Sequence, residues 1–213
     1  MKLSKDFDNY ILSQEKRLSY SHIDKLPDIL KYNQIFKDGH KPITQEQMKV
    51  NPKFQFFKQT EEDQALNLPV LSYVHDKTLS LTNYNLSLQH CRALSTSFEF
   101  FQEFINRIYL DNCGVDDEEF AEMIKGIEKL KDFKKIIYKR NRLSYKSIEG
   151  LKNIVARRIP NHLEVLRIEN CKLEPTVSLG LIKLLGQKNS LKTLGLVNFQ
   201  LTDESFEILV NSL

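Results

Sequence analysis

The residues whose types could carry chemistry in this chain of 213 residues are three cysteines, five histidines and one run of four acids. Cys91, Cys113 and Cys171 are odd in number and lack CxxC spacing, which argues against a disulfide framework and against a zinc site. No histidine stands at a fixed offset from them, so they read as buried turn thiols rather than as nucleophiles or a redox pair. His22, His40, His75, His90 and His162 are scattered, and none forms HExxH or another ligand spacing. Asp116-Asp117-Glu118-Glu119 could form a cation site or an acid–base pair, but acids at the positive start of a helix explain it better. GxxxxGK[ST], GxGxxG and GxSxG are absent, so phosphate-cradling loops and nucleophile elbows have no support. We therefore expect no catalytic residue, no metal ligand and no cofactor.

Charge gives a second kind of candidate. Residues 125–158 hold twelve Lys/Arg against three acids, +9, whereas the remainder holds 19 basic and 25 acidic residues, −6. A local positive field on a mildly acidic body suits an acidic partner surface.

The elements that must position these groups follow from an internal repeat. Ile105, Ile108, Leu110, Cys113 and Val115 align with Phe133, Ile136, Tyr138, Asn141 and Leu143. They align again with Leu163, Leu166, Ile168, Cys171 and Leu173, then with Leu191, Leu194, Leu196, Phe199 and Leu201. An earlier copy keeps Leu79, Leu81, Tyr84 and Leu86, with Asp76 where the first apolar residue belongs. The second apolar position recurs at 79, 108, 136, 166 and 194, at spacings of 29, 28, 30 and 28. After each LxL the apolar period changes from 2 to about 3.6, as in a strand followed by an amphipathic helix. The acids at 116–119, Pro175 after Glu174, and Thr202-Asp203-Glu204 mark helix starts.

Over residues 76–213 this pattern resembles leucine-rich repeats, specifically the longer ribonuclease-inhibitor-like class. The resemblance implies an α/β solenoid with a parallel concave sheet and outer helices. It also assigns Cys113, Asn141 and Cys171 to the slot where Asn or Cys bonds the turn backbone. Tyr84 and Phe199 depart from that slot, so those two turns are expected to be irregular. The domains read as a helical N-terminal arm and cap over 1–70, then a leucine-rich repeat domain over 71–213 with about five repeats. In the arm, helical patterns run through Phe7, Ile11 and Leu18 and through Ile29, Leu30 and Phe36, with a capping box at Thr44 and Gln47.

Period 2 points the non-consensus strand residues away from the core. One row is Thr78, Arg107, Lys135, Val165 and Thr193; the next is Ser80, Tyr109, Ile137, Arg167 and Gly195; the third is Thr82, Asp111, Lys139, Glu169 and Val197. Tyr109, Ile137 and Val165 form an apolar centre ringed by Arg107, Lys135, Lys139 and Arg167, with Arg140 and Arg142 following the third strand. Aromatic and aliphatic anchors beside arginine are what protein interfaces favour. These nine are the candidate partner-binding residues.

The expected function is a non-catalytic protein–protein interaction scaffold, with partners that carry acidic surface and no small-molecule substrate. The Asn/Lys/Phe-rich, Gly-poor composition and the segment LSLTNYNLS are similar to large leucine-rich families of ciliates and other protists, which implies a ciliary, axonemal or cytoskeletal assembly. Two alternatives are kept: a GTPase activator supplying Arg140 or Arg142 in trans, and a nucleic-acid binder using the basic ridge. Apolar residues at 41% allow a packed core, and no apolar stretch approaches the roughly 20 residues that span a bilayer. A cytoplasmic setting is expected. At the other end, Leu194, Leu196, Phe206, Leu209, Val210 and Leu213 are expected to offer apolar surface to further repeats or another subunit.

Overall fold

The computed structural model describes residues 53–65, 68, 70–155, 163–171, 175–185, 191–199 and 201–212. The helical patterns around Phe7, Ile11, Ile29 and Phe36, and the capping box at Thr44, lie outside the described residues. Helix α1 (Lys53–Glu62) leads through a short 3-10 turn (Val70–Tyr73) to strands β1 (Val74–His75) and β2 (Thr78–Thr82). Strand and helix then alternate: α2 (Leu88–Ser97), β3 (Arg107–Asp111), α3 (Asp117–Ile127), β4 (Lys135–Lys139), α4 (Tyr145–Val155), β5 (Val165–Glu169), α5 (Pro175–Leu185), β6 (Thr193–Val197) and α6 (Asp203–Ser212). The fold is α/β.

The six strands make one sheet in chain order. From β2 to β6 all pairs are parallel, and the register places Leu79, Ile108, Ile136, Leu166 and Leu194 side by side. The second LxL position aligns Leu81, Leu110, Tyr138, Ile168 and Leu196. In β2 to β5 these residues are fully buried, and they share one core with Cys91 and Leu94 of α2 and Phe120, Met123 and Ile124 of α3. Ile148 and Leu151 of α4 and Leu181 and Ile182 of α5 extend it. Adjacent helices pack on each other in the same order as the strands. Helices α2 and α3 approach so closely that a Cβ on Gly126 would fall 2.4 Å from the Ser95 Cα.

Each of strands β2 to β6 ends in the same turn. Asn83, Asn112, Arg140, Asn170 and Asn198 all have φ between 51° and 58°, in the left-handed region that Asn tolerates and Arg rarely adopts. The backbone N–H groups of the first four reach the next strand: Asn112, for example, donates to the Lys139 carbonyl and Arg140 to the Glu169 carbonyl. The next residue faces inward. The Asn141 amide donates to the carbonyls of Leu110 (3.2 Å) and Lys139 (2.8 Å), and its oxygen accepts from the Cys113 N–H (2.8 Å). Cys113 points its thiol at the Leu81 and Asp111 carbonyls, and Cys171 at those of Tyr138 and Glu169. Tyr84 and Phe199 were expected to disturb their turns; Asn83 and Asn198 keep the same left-handed residue there. The left-handed backbone is kept at all five turns, four times by Asn and once by Arg140, including the two whose following slot lacks Asn or Cys.

Strand β1 is a further departure from the sequence reading. Val74 and His75 pair antiparallel with Leu79 and Thr78 through a turn at Asp76 and Lys77, both at positive φ. Below it, Phe56 and Phe57 of α1 are buried in the core, and α1 packs on α2. This edge of the core is therefore covered. At the β6 side, Leu194 and Leu196 are only half-buried, and Phe206 and Val210 stand 58% and 53% exposed. Leu209, expected among the exposed residues, instead turns into the core; Leu213 lies outside the described residues.

Candidate functional site

The sheet face opposite the helices carries seven of the nine candidate residues. Arg107 pairs in register with Lys135 and then Val165; Tyr109 with Ile137 and then Arg167; Asp111 with Lys139 and then Glu169. Alternation places them there: the flanking LxL side chains are buried, while Tyr109, Ile137 and Val165 are half-buried and Arg107 and Arg167 are exposed. Arg140 sits in the turn just past β4, and Arg142 lies beyond it, exposed, where its backbone carbonyl accepts from the buried Tyr138 hydroxyl. Arg142 is not part of the strand rows.

The charges are not a free ridge. The Arg140 Nε donates to Asp111 Oδ1 at 2.6 Å, and the Tyr109 hydroxyl donates to Asp111 Oδ2 at 2.9 Å. Asp111 is buried, and both of its oxygens are occupied. Arg167 Nη2 lies 2.6 Å from Glu169 Oε1, and Lys139 Nζ lies 3.8 Å from Glu169 Oε2. Gly195 makes room for this: a Cβ there would come within 2.9 Å of the Arg167 Cγ. Elsewhere in the basic stretch Lys125 meets Glu122, Lys134 meets Asp132, and Lys146 meets Glu118. Of the four cations expected around the apolar centre, Lys139 and Arg167 thus both lie against Glu169, while Arg140, in the turn after β4, is engaged by Asp111 of the preceding strand. Arg107 and Lys135 have no ion-pair partner among the described residues. Arg157 and Arg158 lie outside the described residues.

Burial pushes the Asp111 carboxyl up, but hydrogen bonds from Arg140 and Tyr109 and the charges of Arg140 and Lys139 more than offset it, leaving its pKa below the ordinary carboxylate value. Burial, then the bond to Asp111, raises the Tyr109 phenol. A carboxylate kept ionised beside a phenol kept protonated holds its geometry without exchanging a proton at neutral pH. Burial likewise raises Cys113 and Cys171 to about 11 and Cys91 well above its usual value, so all three are held as thiols.

Sequence reasoning had placed Asp111 and Glu169 in the third row without making them ion-pair partners. The signal was present: Asp111 and Arg140 are 29 residues apart, about one repeat, which makes them neighbours on adjacent strands. The acids at 116–119 do begin helix α3, with Asp116 preceding its first turn. Among the described residues, no group of three or more His, Cys, Asp or Glu side chains is placed to hold a metal ion. Nor is any described helix long and apolar enough to cross a membrane. A scan against protein-family models and a search of curated proteins return no match to this chain.

Proposed function

We propose that this chain is a leucine-rich repeat solenoid of the ribonuclease-inhibitor-like class, acting as a non-catalytic protein–protein interaction scaffold. It is a subunit of a larger cytoplasmic assembly, of cytoskeletal or ciliary type. The fold half of this reading is supported by the 28–30-residue phase carried into parallel strands, and by the Cys113, Asn141 and Cys171 side chains bonding the turns after β3, β4 and β5. The observation that carries the functional half is the open sheet face: half-buried Tyr109, Ile137 and Val165 beside Arg107 and Lys135, on a rigid sheet. For the competing GTPase-activator reading, the Arg140 guanidinium is already bound to Asp111, which leaves the exposed Arg142 as its candidate.

The test is cross-linking mass spectrometry of the tagged chain in the cells that make it, wild type against Tyr109→Ala with Ile137→Ala. Cross-links from the β3–β5 face that disappear in the variant, with the melting temperature held, support the scaffold reading. Cross-links confined to the helices or to residues 1–52, or none at all, refute it. A purified chain that accelerates GTP hydrolysis by small GTPases also refutes it.

A further inference from the structure

Resting on the scaffold reading, we propose that Arg107 and Lys135 anchor an acidic, extended segment of a partner protein whose apolar side chains lie on Tyr109 and Ile137. The two cations face each other in register on adjacent parallel strands, whose spacing is about 4.8 Å. Like charges directly opposed across a sheet destabilise it. Elsewhere on this face the structure avoids that cost: Lys139 and Arg167 share Glu169, and Arg140 holds Asp111. At Arg107 and Lys135 it does not. Their row continues through Thr78, Val165 and Thr193 and contains no acid. Glu164, one residue before Val165 of that row, is bound by Lys192, and Asp111 and Glu169, roughly 13 Å further along the strands, are bound as well.

The face therefore changes along the strand direction: Arg107 and Lys135, without an ion-pair partner among the described residues, where β3 and β4 begin, then apolar at Tyr109 and Ile137, then neutralised where the strands end. A segment carrying one or two carboxylates at one end and an aliphatic or aromatic residue next to them matches that order. Charge complementarity and the adjoining apolar row favour a protein segment over a polynucleotide. A polynucleotide would need a longer track of unpaired cations and open stacking faces. Here Arg107 and Lys135 are the pair of strand cations without an ion-pair partner among the described residues, and the nearby aromatic is half-buried with its hydroxyl held by Asp111.

The experiment measures fluorescence anisotropy of the full chain with three labelled probes. These are a peptide of glutamates interrupted by two leucines, the same peptide with glutamine for glutamate, and an oligothymidine of similar length. The acidic peptide is expected to bind, with affinity falling as salt rises, and the glutamine version to bind about tenfold more weakly. Arg107→Gln with Lys135→Gln is expected to weaken the acidic peptide by about tenfold, and Lys139→Gln by less than about threefold. The double variant should melt at or above the wild-type temperature, because a like-charge pair has been removed. A lower melting temperature would mean that the two cations are used inside the fold, and would overturn the proposal. So would failure to bind the acidic peptide, indifference to the double substitution, or preferential binding of oligothymidine. If the peptide fails while partner cross-links still map to Tyr109 and Ile137, only the acidic anchor falls; if those cross-links are missing, the scaffold reading falls with it.

Discussion

Replacing Asn141 isolates the device that ties neighbouring strands together at their turns. Its amide makes three hydrogen bonds at 2.8–3.2 Å in a buried position, and it is the acceptor for the Cys113 N–H. Asn141→Ala strands that N–H away from water, at about 1–3 kcal/mol, and removes two donated bonds worth about 0.5–1.5 kcal/mol each. The Lys139 carbonyl still accepts from the Asn112 N–H, so its loss is softened. A total of about 2–4 kcal/mol follows, or a fall of about 5–15 °C in melting temperature for a chain of this size. Asn141→Cys should fall between: the thiols of Cys113 and Cys171 show that sulfur reaches both carbonyls from this slot, at 3.4–3.5 Å, but a thiol replaces the acceptor for Cys113 poorly. Guanidinium unfolding followed by circular dichroism gives the ranking. A cost for Asn141→Ala below about 0.5 kcal/mol, the range of a surface substitution, would show that the turn does not depend on this side chain.

The remaining expectations concern charge, packing and thiols. Because the folded pKa of Asp111 is depressed, its carboxylate contributes stability that is present at neutral pH and lost below about pH 4; Asp111→Asn should melt lower than wild type at pH 7, with the gap closing as the pH falls, and a pH-independent gap would count against the Arg140–Asp111–Tyr109 cluster. Gly126→Ala should destabilise by about 1–3 kcal/mol because its Cβ meets Ser95 backbone. Gly180→Ala, with nothing within 4 Å of its Cβ, should stabilise by about 0.4–1 kcal/mol; equal effects of the two in thermal melts would refute the close helix approach. Thiolate absorbance of Cys113 and Cys171 should rise only near pH 11 in the native chain and near 9 in guanidinium. Raised thiol pKa values also mean stability that is intact below pH 9 and lost toward 11; native thiols titrating near 9 would contradict their burial.

Leu79, Ile108, Ile136, Leu166 and Leu194 were enough to read the strands, their parallel order and their register, because a constant phase leaves a strand–helix unit one way to stack on the next. Strand β1 escaped notice since two residues carry no periodicity, and Asp76-Lys77 lacks the Asn-Gly signature of its turn. The left-handed row was written in the sequence as the Asn following β2, β3, β5 and β6, yet the LxxLxL frame drew attention one position further on. The face itself was legible in its residues but not in its electrostatics. A window of +9 along the chain counts neighbours that the fold separates and misses those that it joins.

In a stacked fold, charges should be summed across strands, where residues about one repeat apart become neighbours. On that count the two departures from the repeat near the third strand explain each other. Asp111 is a buried carboxylate at a row position filled by Thr82 in the strand before and Lys139 in the strand after. Arg140 is the one residue of the left-handed row that is not Asn. It interrupts the side-chain bond that joins Asn83 to Asn112 and reappears between Asn170 and Asn198. A non-glycine residue held there costs of order 1–3 kcal/mol, and Arg lacks the local tolerance of Asn. The strain is compensated because Arg140 places Nε 2.6 Å from a carboxylate that would otherwise be left with Tyr109 alone. Neutralising Asp111 in this way fixes the Tyr109 ring on the open face, and that fixed ring is what the apolar centre beside Arg107 and Lys135 requires. The irregular residues of the repeat, rather than its consensus, are therefore the ones that shape the surface offered to a partner.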